Sequence, residues 1–192
     1  MKAVLATHNR HKVLEVSRIL KPLVPELELE AAIGAEPVED GVSFVENALI
    51  KARAAHRSTG LTAIADDSGL TVEILGGAPG IFSARWSGEK DDEKNRQLLL
   101  SQLSDVKPEH RQAAFICTIA LVSDSDELTF TGVWPGRIAY QEAGANGFGY
   151  DPIFIPEGFD VTAAELEPEV KNAFSHRGMA LGQLASVLAT RF

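Results

Sequence analysis

Two apolar runs, Ala113 to Val122 and Leu128 to Trp134, are separated only by Ser123-Asp124-Ser125-Asp126-Glu127. Runs of that length joined by so short a polar link predict an antiparallel hairpin. A hairpin alone would suit an all-β protein, but the first part of the chain has a different rhythm. Val4 to Ala6 is a short buried strand. Lys12 to Leu20 then carries Val13, Leu14, Val16, Ile19 and Leu20 at helical spacing. Pro22 and Pro25 are expected to end that helix, and Leu27, Leu29 and Ala31 alternate with Glu28 and Glu30 as in a strand with one wet face.

Ser43 with Glu46 three residues on forms a capping box. The following Phe44, Val45, Ala48, Leu49, Ala52 and Ala55 make one apolar stripe, closed by Gly60. Thr62 to Ala65 reads as a short strand leading into Asp66-Asp67. Asn95 to Leu103 is expected to be helical, Pro135-Gly136 to turn the chain before a strand at Arg137 to Tyr140, and Ser175 to cap a last helix running to about Thr190. Strands and helices alternate early and paired strands dominate the middle. The fold expected is α/β, with a mixed central β-sheet flanked by helices.

With 192 residues, the chain is long enough to bury a core without a staple, as one domain spanning residues 1–192 or one domain of two lobes. The single Cys117 lies in an apolar run and excludes both an internal disulfide and a cysteine-rich zinc site. No apolar stretch is long enough to span a bilayer, and the opening residues lack the shape of a signal peptide. No membrane partner and a cytoplasmic location are expected. A net charge of −9, from 18 basic and 27 acidic residues, argues against polymeric nucleic acid, whose binding rests on many Lys and Arg contacts to phosphate. A small anionic ligand is still compatible, because it needs only a local set of donors or a metal ion.

Several segments carry chemistry. Thr7-His8-Asn9-Arg10-His11-Lys12 joins a buried strand to a helix, where backbone N–H groups and a Lys form an anion site; a plain polar loop fits as well. Asp66-Asp67-Ser68-Gly69 sets two carboxylates at a strand end, a costly arrangement unless a cation or donors compensate it. One Asp could hold magnesium while the other polarises water; a turn is the alternative. Glu39, in Glu39-Asp40-Gly41, could add a ligand or belong to a solvated loop. The run Glu89 to Glu93 reads as a solvated helix start. Gly147-Phe148-Gly149-Tyr150-Asp151-Pro152 could present two aromatics to a nucleobase or form a tight turn. Lys171 and Ser175-His176-Arg177-Gly178, at the start of the last helix, supply donors suited to a 6-oxo purine, or a surface salt bridge.

Taken in order, these segments resemble the inosine/xanthosine triphosphate pyrophosphatase family. The match includes Thr7, Asn9 and Lys12, then Phe44-Val45-Glu46-Asn47-Ala48 with Lys51-Ala52, then Ala65 to Leu70. Gly76-Gly77-Ala78-Pro79-Gly80 through Arg85, Trp134-Pro135-Gly136, Gly147 to Pro152 and Ser175 to Gly178 complete it. The resemblance spans nearly the whole chain. It implies an α/β domain of two lobes with a substrate cleft between them, a homodimer, and Mg²⁺-dependent hydrolysis of ITP, dITP and XTP to the monophosphate and pyrophosphate.

Carried over by position, Asp67 is the general base and a metal contact, and Glu39 is the other metal ligand. Thr7, His8, Asn9, Arg10, His11 and Lys12, with Lys171, would grip phosphates and sugar. Ser68, Phe148, Gly149, Tyr150, Asp151, His176 and Arg177 would line the nucleoside site. The family usually has Gly at His11 and often at His8, so two imidazoles and Arg10 replace a slim loop here. Modified pyrimidine triphosphates, general nucleotide phosphatase action and non-catalytic nucleotide binding are the rival readings.

Overall fold

The computed structural model describes residues 2–7, 9–32 and 37–191. Its strands are β1 (Lys2–Leu5), β2 (Glu28–Ala31), β3 (Thr62–Val72), β4 (Gln112–Val122), β5 (Glu127–Ile138) and β6 (Phe154–Pro156). They form one sheet in the order β2-β1-β3-β4-β5-β6, with β1 parallel to β2 and β3, and β5 antiparallel to β6. The helices are α1 (Arg10–Leu23), α2 (Phe44–Thr59), α3 (Asp92–Gln102), α4 (Pro168–Phe174) and α5 (His176–Arg191). The fold is therefore α/β with a mixed sheet flanked by helices. No helix among the described residues is long and apolar enough to cross a membrane.

The chain divides into two compact units. One comprises residues 1–67, 117–132 and 176–192, the other residues 68–116 and 133–175. In the first unit the period-two rule of strands sorts the core onto both faces of the sheet. Ala3 and Leu5 of β1, Ile64 of β3 and Cys117, Ile119 and Leu121 of β4 pack with Val16 and Leu20 of α1 and Leu181, Leu184 and Leu188 of α5. Val4, Ala63, Ala65, Ala120 and Val122 point the other way, against Ala48, Ala52 and Ala55 of α2. Small residues on that second face let α2 lie close. Cys117 is buried, and burial pushes its thiol up to about 12, so it is an inert core residue.

In the second unit Leu70, Val72, Phe115, Trp134, Ile138 and Phe154 of the sheet pack with Leu99 and Leu103 of α3 and with Tyr150 and Ile153.

Three of the boundaries that differ from the sequence reading have a local physical cause. First, β3 does not stop at Ala65. It runs eleven residues through the Asp pair to Val72, with cations from neighbouring helices paired to one oxygen of each carboxylate. Second, Pro135-Gly136 does not turn the chain. Pro135 forfeits one donor, yet its carbonyl accepts the Glu157 N–H, and side-chain-free Gly136 pairs with Pro156 where a Cβ would strike the Ile155 carbonyl. Third, α1 includes Pro22. In the last turn a proline deletes only one helical bond, and the helix still closes through the Val24 N–H on the Leu20 carbonyl.

The α2 cap forms at Ser43 as read, with Ser43 Oγ accepting the Glu46 N–H; the returning bond of the box shifts by one residue, Glu46 accepting the Val42 N–H before the cap, and Gly60 ends the helix at φ 69°.

Candidate functional site

The alternation that sorts the first unit's core also splits the adjacent carboxylates. Asp66 shares the Ile64 face of β3, toward α1 and α5. Asp67 shares the Ala63 and Ala65 face, toward α2. Each meets cations from the helices on its own side.

On the first face Asp66 Oδ2 receives Lys12 Nζ at 2.8 Å and Arg177 Nη2 at 3.1 Å. Lys12 comes from the first turn of α1 and Arg177 from the first turn of α5, so one carboxylate ties two helix starts to the sheet. Arg177 Nη1 also donates to Glu15, one turn beyond Lys12 on α1. Arg177 is 2 % exposed and Asp66 1 %. Burial alone would raise the Asp66 carboxyl, but Lys12, Arg177 and Lys51 outweigh it and hold that carboxyl far below the usual range.

On the second face Lys51 Nζ, from α2, lies 3.1 Å from Asp67 Oδ1 and 3.0 Å from Glu39 Oε1. Burial alone would lower Lys51; Asp67, Asp66 and Glu39 hold it above its ordinary value, so it stays an ammonium. Asp67 moves upward because burial dominates, with Lys51 and Lys12 opposing and Glu39 adding to the rise. Asp67 Oδ2 is buried and accepts no hydrogen bond from the described residues. A buried anionic oxygen without a donor calls for a cation or a water. Among the described residues no three His, Cys, Asp or Glu side chains gather as a metal cluster. The donor set thus fits a hard cation such as magnesium, which keeps waters and substrate oxygens and needs only one or two carboxylates.

The strand-to-helix junction is a working N-cap. Asn9 Oδ1 accepts the His11 and Lys12 N–H groups at 3.0 and 3.4 Å, and Thr7 Oγ1 accepts the Asn9 N–H at 3.2 Å. Asn9's carbonyl oxygen therefore serves the helix. Thr7 is buried and His11 exposed. His8 lies outside the described residues, as does the side chain of Arg10. His176 is buried beside Arg177 at the start of α5.

The second unit holds the remaining predicted residues. Lys171 is not at the start of the last helix but on the separate short helix α4, and Ser175 lies between the two. Its Nζ reaches Asp151 Oδ2 at 2.6 Å and sits 5.2 Å from the centre of the Phe148 ring. The same carboxylate oxygen accepts the Phe148 N–H at 2.8 Å. Tyr150 is buried, and its hydroxyl donates to the Ser83 carbonyl, so it serves the core. Of the two aromatics, Phe148 keeps an accessible face. Ser68 follows Asp67 on β3 and is half-buried.

Gly147 stands at φ 74°, and a Cβ there would overlap Asp151 Oδ2. Gly147→Ala should therefore cost at least about 1–3 kcal/mol from the left-handed backbone alone, and should loosen the Lys171–Asp151 pair. A thermal melt of the variant measures it; an unchanged midpoint would show that the loop relaxes freely.

Sequence reasoning gave no role to Lys51 or Arg96, left that of Asp66 undecided between the two carboxylates, and assigned Asp92 to solvent. Lys51 had a visible signal, a cation on the same helical face as Ala48, Ala52 and Ala55. Asp92, read as part of a solvated acidic run, accepts the Gly149 N–H at 2.9 Å.

The sequence profile of the Ham1 family matches residues 3–187. A dITP/XTP pyrophosphatase of Leifsonia xyli subsp. xyli is 56% identical over 190 residues, covering 98% of this chain and 96% of that protein. Among solved structures, a HAM1 protein from Coxiella burnetii has a TM-score of 0.90 at 45% identity and covers 99% of both chains. The Ham1 protein of Staphylococcus aureus reaches the same TM-score at 37% identity over the whole of both chains.

Proposed function

The chain belongs to the Ham1 family, and on that premise we propose that it hydrolyses non-standard purine nucleoside triphosphates (ITP, dITP and XTP) to the monophosphate and pyrophosphate. The observation that carries the reading is Asp67, a buried carboxylate with one oxygen on Lys51 and the other without a donor. A general base needs one oxygen open to a water.

In this reading Asp67 orients and deprotonates the water that attacks the α-phosphorus. Lys51, held by Glu39 and Asp67, fixes the carboxylate in place. Lys12 and the N–H groups opening α1 stabilise the departing pyrophosphate. Magnesium held by Glu39 and Asp67 would supply charge neutralisation on the triphosphate. Phe148 offers a stacking face for the base, with Lys171 close to its ring, and His176 supplies a donor that favours a 6-oxo group, on a helix start that Arg177 holds through Asp66 and Glu15. The protein acts as a homodimer on free nucleotides.

A triphosphate panel with Mg²⁺, scored for pyrophosphate and orthophosphate separately, tests the proposal. Pyrophosphate from ITP, dITP and XTP, with ATP slower by about 10²-fold or more, is the expected result. Orthophosphate as product would point to a general phosphatase, and faster turnover of pyrimidine triphosphates would move the substrate class. Binding without turnover would leave a non-catalytic regulator.

A further inference from the structure

The geometry points to Asp92 and Arg96 of α3 as positioning residues that hold the Phe148-Gly149 loop in its base-stacking posture. The inference rests on the functional reading above, and it concerns residues that the reading does not use. Both backbone polar groups of Gly149 are tied to this one helix. Its N–H donates to Asp92 Oδ2 at 2.9 Å, and its carbonyl accepts Arg96 Nη1 at 2.9 Å. Asp92 and Arg96 lie four apart on α3, so both face the loop from successive turns. Arg96 is itself aimed by Glu142, which accepts its Nε at 2.9 Å, and its side chain is only 15 % exposed.

A glycine at φ 61° has no side chain with which to anchor itself. Its neighbour Phe148 is tied internally to Asp151, through its N–H to the carboxylate and its carbonyl to the Asp151 N–H. Without α3 the loop would keep those bonds to Asp151 but lose both hydrogen bonds that hold Gly149 itself. Holding both backbone polar groups of Gly149, one in each of its flanking peptide units, restricts where the adjoining Phe148 ring can lie. Restricting a contact residue before the ligand arrives raises affinity by lowering the ordering cost on binding. The grip therefore acts on recognition of the base and not on the phosphate chemistry.

Steady-state kinetics on ITP with Mg²⁺ separate these effects. Asp92→Ala combined with Arg96→Ala should raise KM about tenfold or more, keep kcat within about threefold, and leave competitive inhibition by inorganic tripolyphosphate, which has no base, unchanged. Asp92→Asn keeps an acceptor oxygen and should restore most of the KM. Amide exchange read independently of substrate should show the Gly149 N–H losing protection in Asp92→Ala but not in Asp92→Asn. An unchanged KM in a folded double variant overturns the inference, as does a parallel loss of kcat and tripolyphosphate binding. A wild-type protein inactive on ITP would instead sink the functional reading, while the Gly149 exchange result would still judge the tether.

Discussion

Asp67→Asn should lower turnover of ITP by about 10²–10⁴-fold, the range a positioned base contributes, while the protein stays folded. The amide keeps the volume of the side chain and one oxygen to accept from Lys51. Lys51 also keeps Glu39 at 3.0 Å, so no cation is left without a carboxylate. What disappears is the charge on the oxygen that has no donor, Oδ2. The upward move of the Asp67 carboxyl, caused by burial, brings it closer to the operating pH, as efficient proton transfer requires. Initial rates on ITP, read beside a thermal melt, decide the matter. Turnover within about tenfold of wild type in a folded variant would reassign the base, with Glu39 as the next candidate.

How much of this site was legible in the sequence depends on what each residue's role requires. The helices and strands were readable because their signals are local. Ser43 with Glu46 marks a helix start, and the 113–122 and 128–134 runs mark a hairpin. The Asp pair was legible as chemistry but not as geometry. Adjacent aspartates before Ser-Gly look like a turn when their partners are unknown. Lys12 and Arg177, the partners of Asp66, lie 54 and 111 residues away along the chain. The division of labour between the two carboxylates follows from β3 continuing past them, since only a strand sends neighbours to opposite faces. Once that continuity is known, Ile64 and Ala65 already assign the faces.

The residues proposed for the nucleoside site show the opposite weakness. Tyr150 and Phe148 look equivalent in sequence, and only the packing distinguishes the core phenol from the half-buried ring. Asp92 hides in an acidic run that composition alone assigns to solvent. Its role depends on a glycine 57 residues later.

Asp66→Asn should be the most destabilising conservative change in the first unit, costing about 3–5 kcal/mol at neutral pH, the loss typical when one member of a buried ion network is removed. Lys12 and Arg177 both converge on Asp66 Oδ2, and an amide leaves a buried guanidinium and a partly buried ammonium facing a neutral group. Glu15 holds Arg177 from one side only, so it cannot compensate Lys12. The folded-state carboxyl sits below its unfolded value of about 3.9, held there chiefly by Lys12 and Arg177 against the opposing effect of burial. The stabilisation is therefore complete above about pH 4 and is lost as pH falls toward the folded-state value, at up to about 1.4 kcal/mol per unit. Urea unfolding of wild type and variant should show a constant gap from pH 7 to about pH 4.5 and a narrowing gap near pH 3. Adding Lys12→Met to Asp66→Asn should cost less than the sum of the two single changes, because the second removes a charge that the first left unpaired. A gap below about 1 kcal/mol at pH 7, or one that does not narrow in acid, would mean that water reaches Lys12 and Arg177 and that Asp66 is not what fixes the starts of α1 and α5.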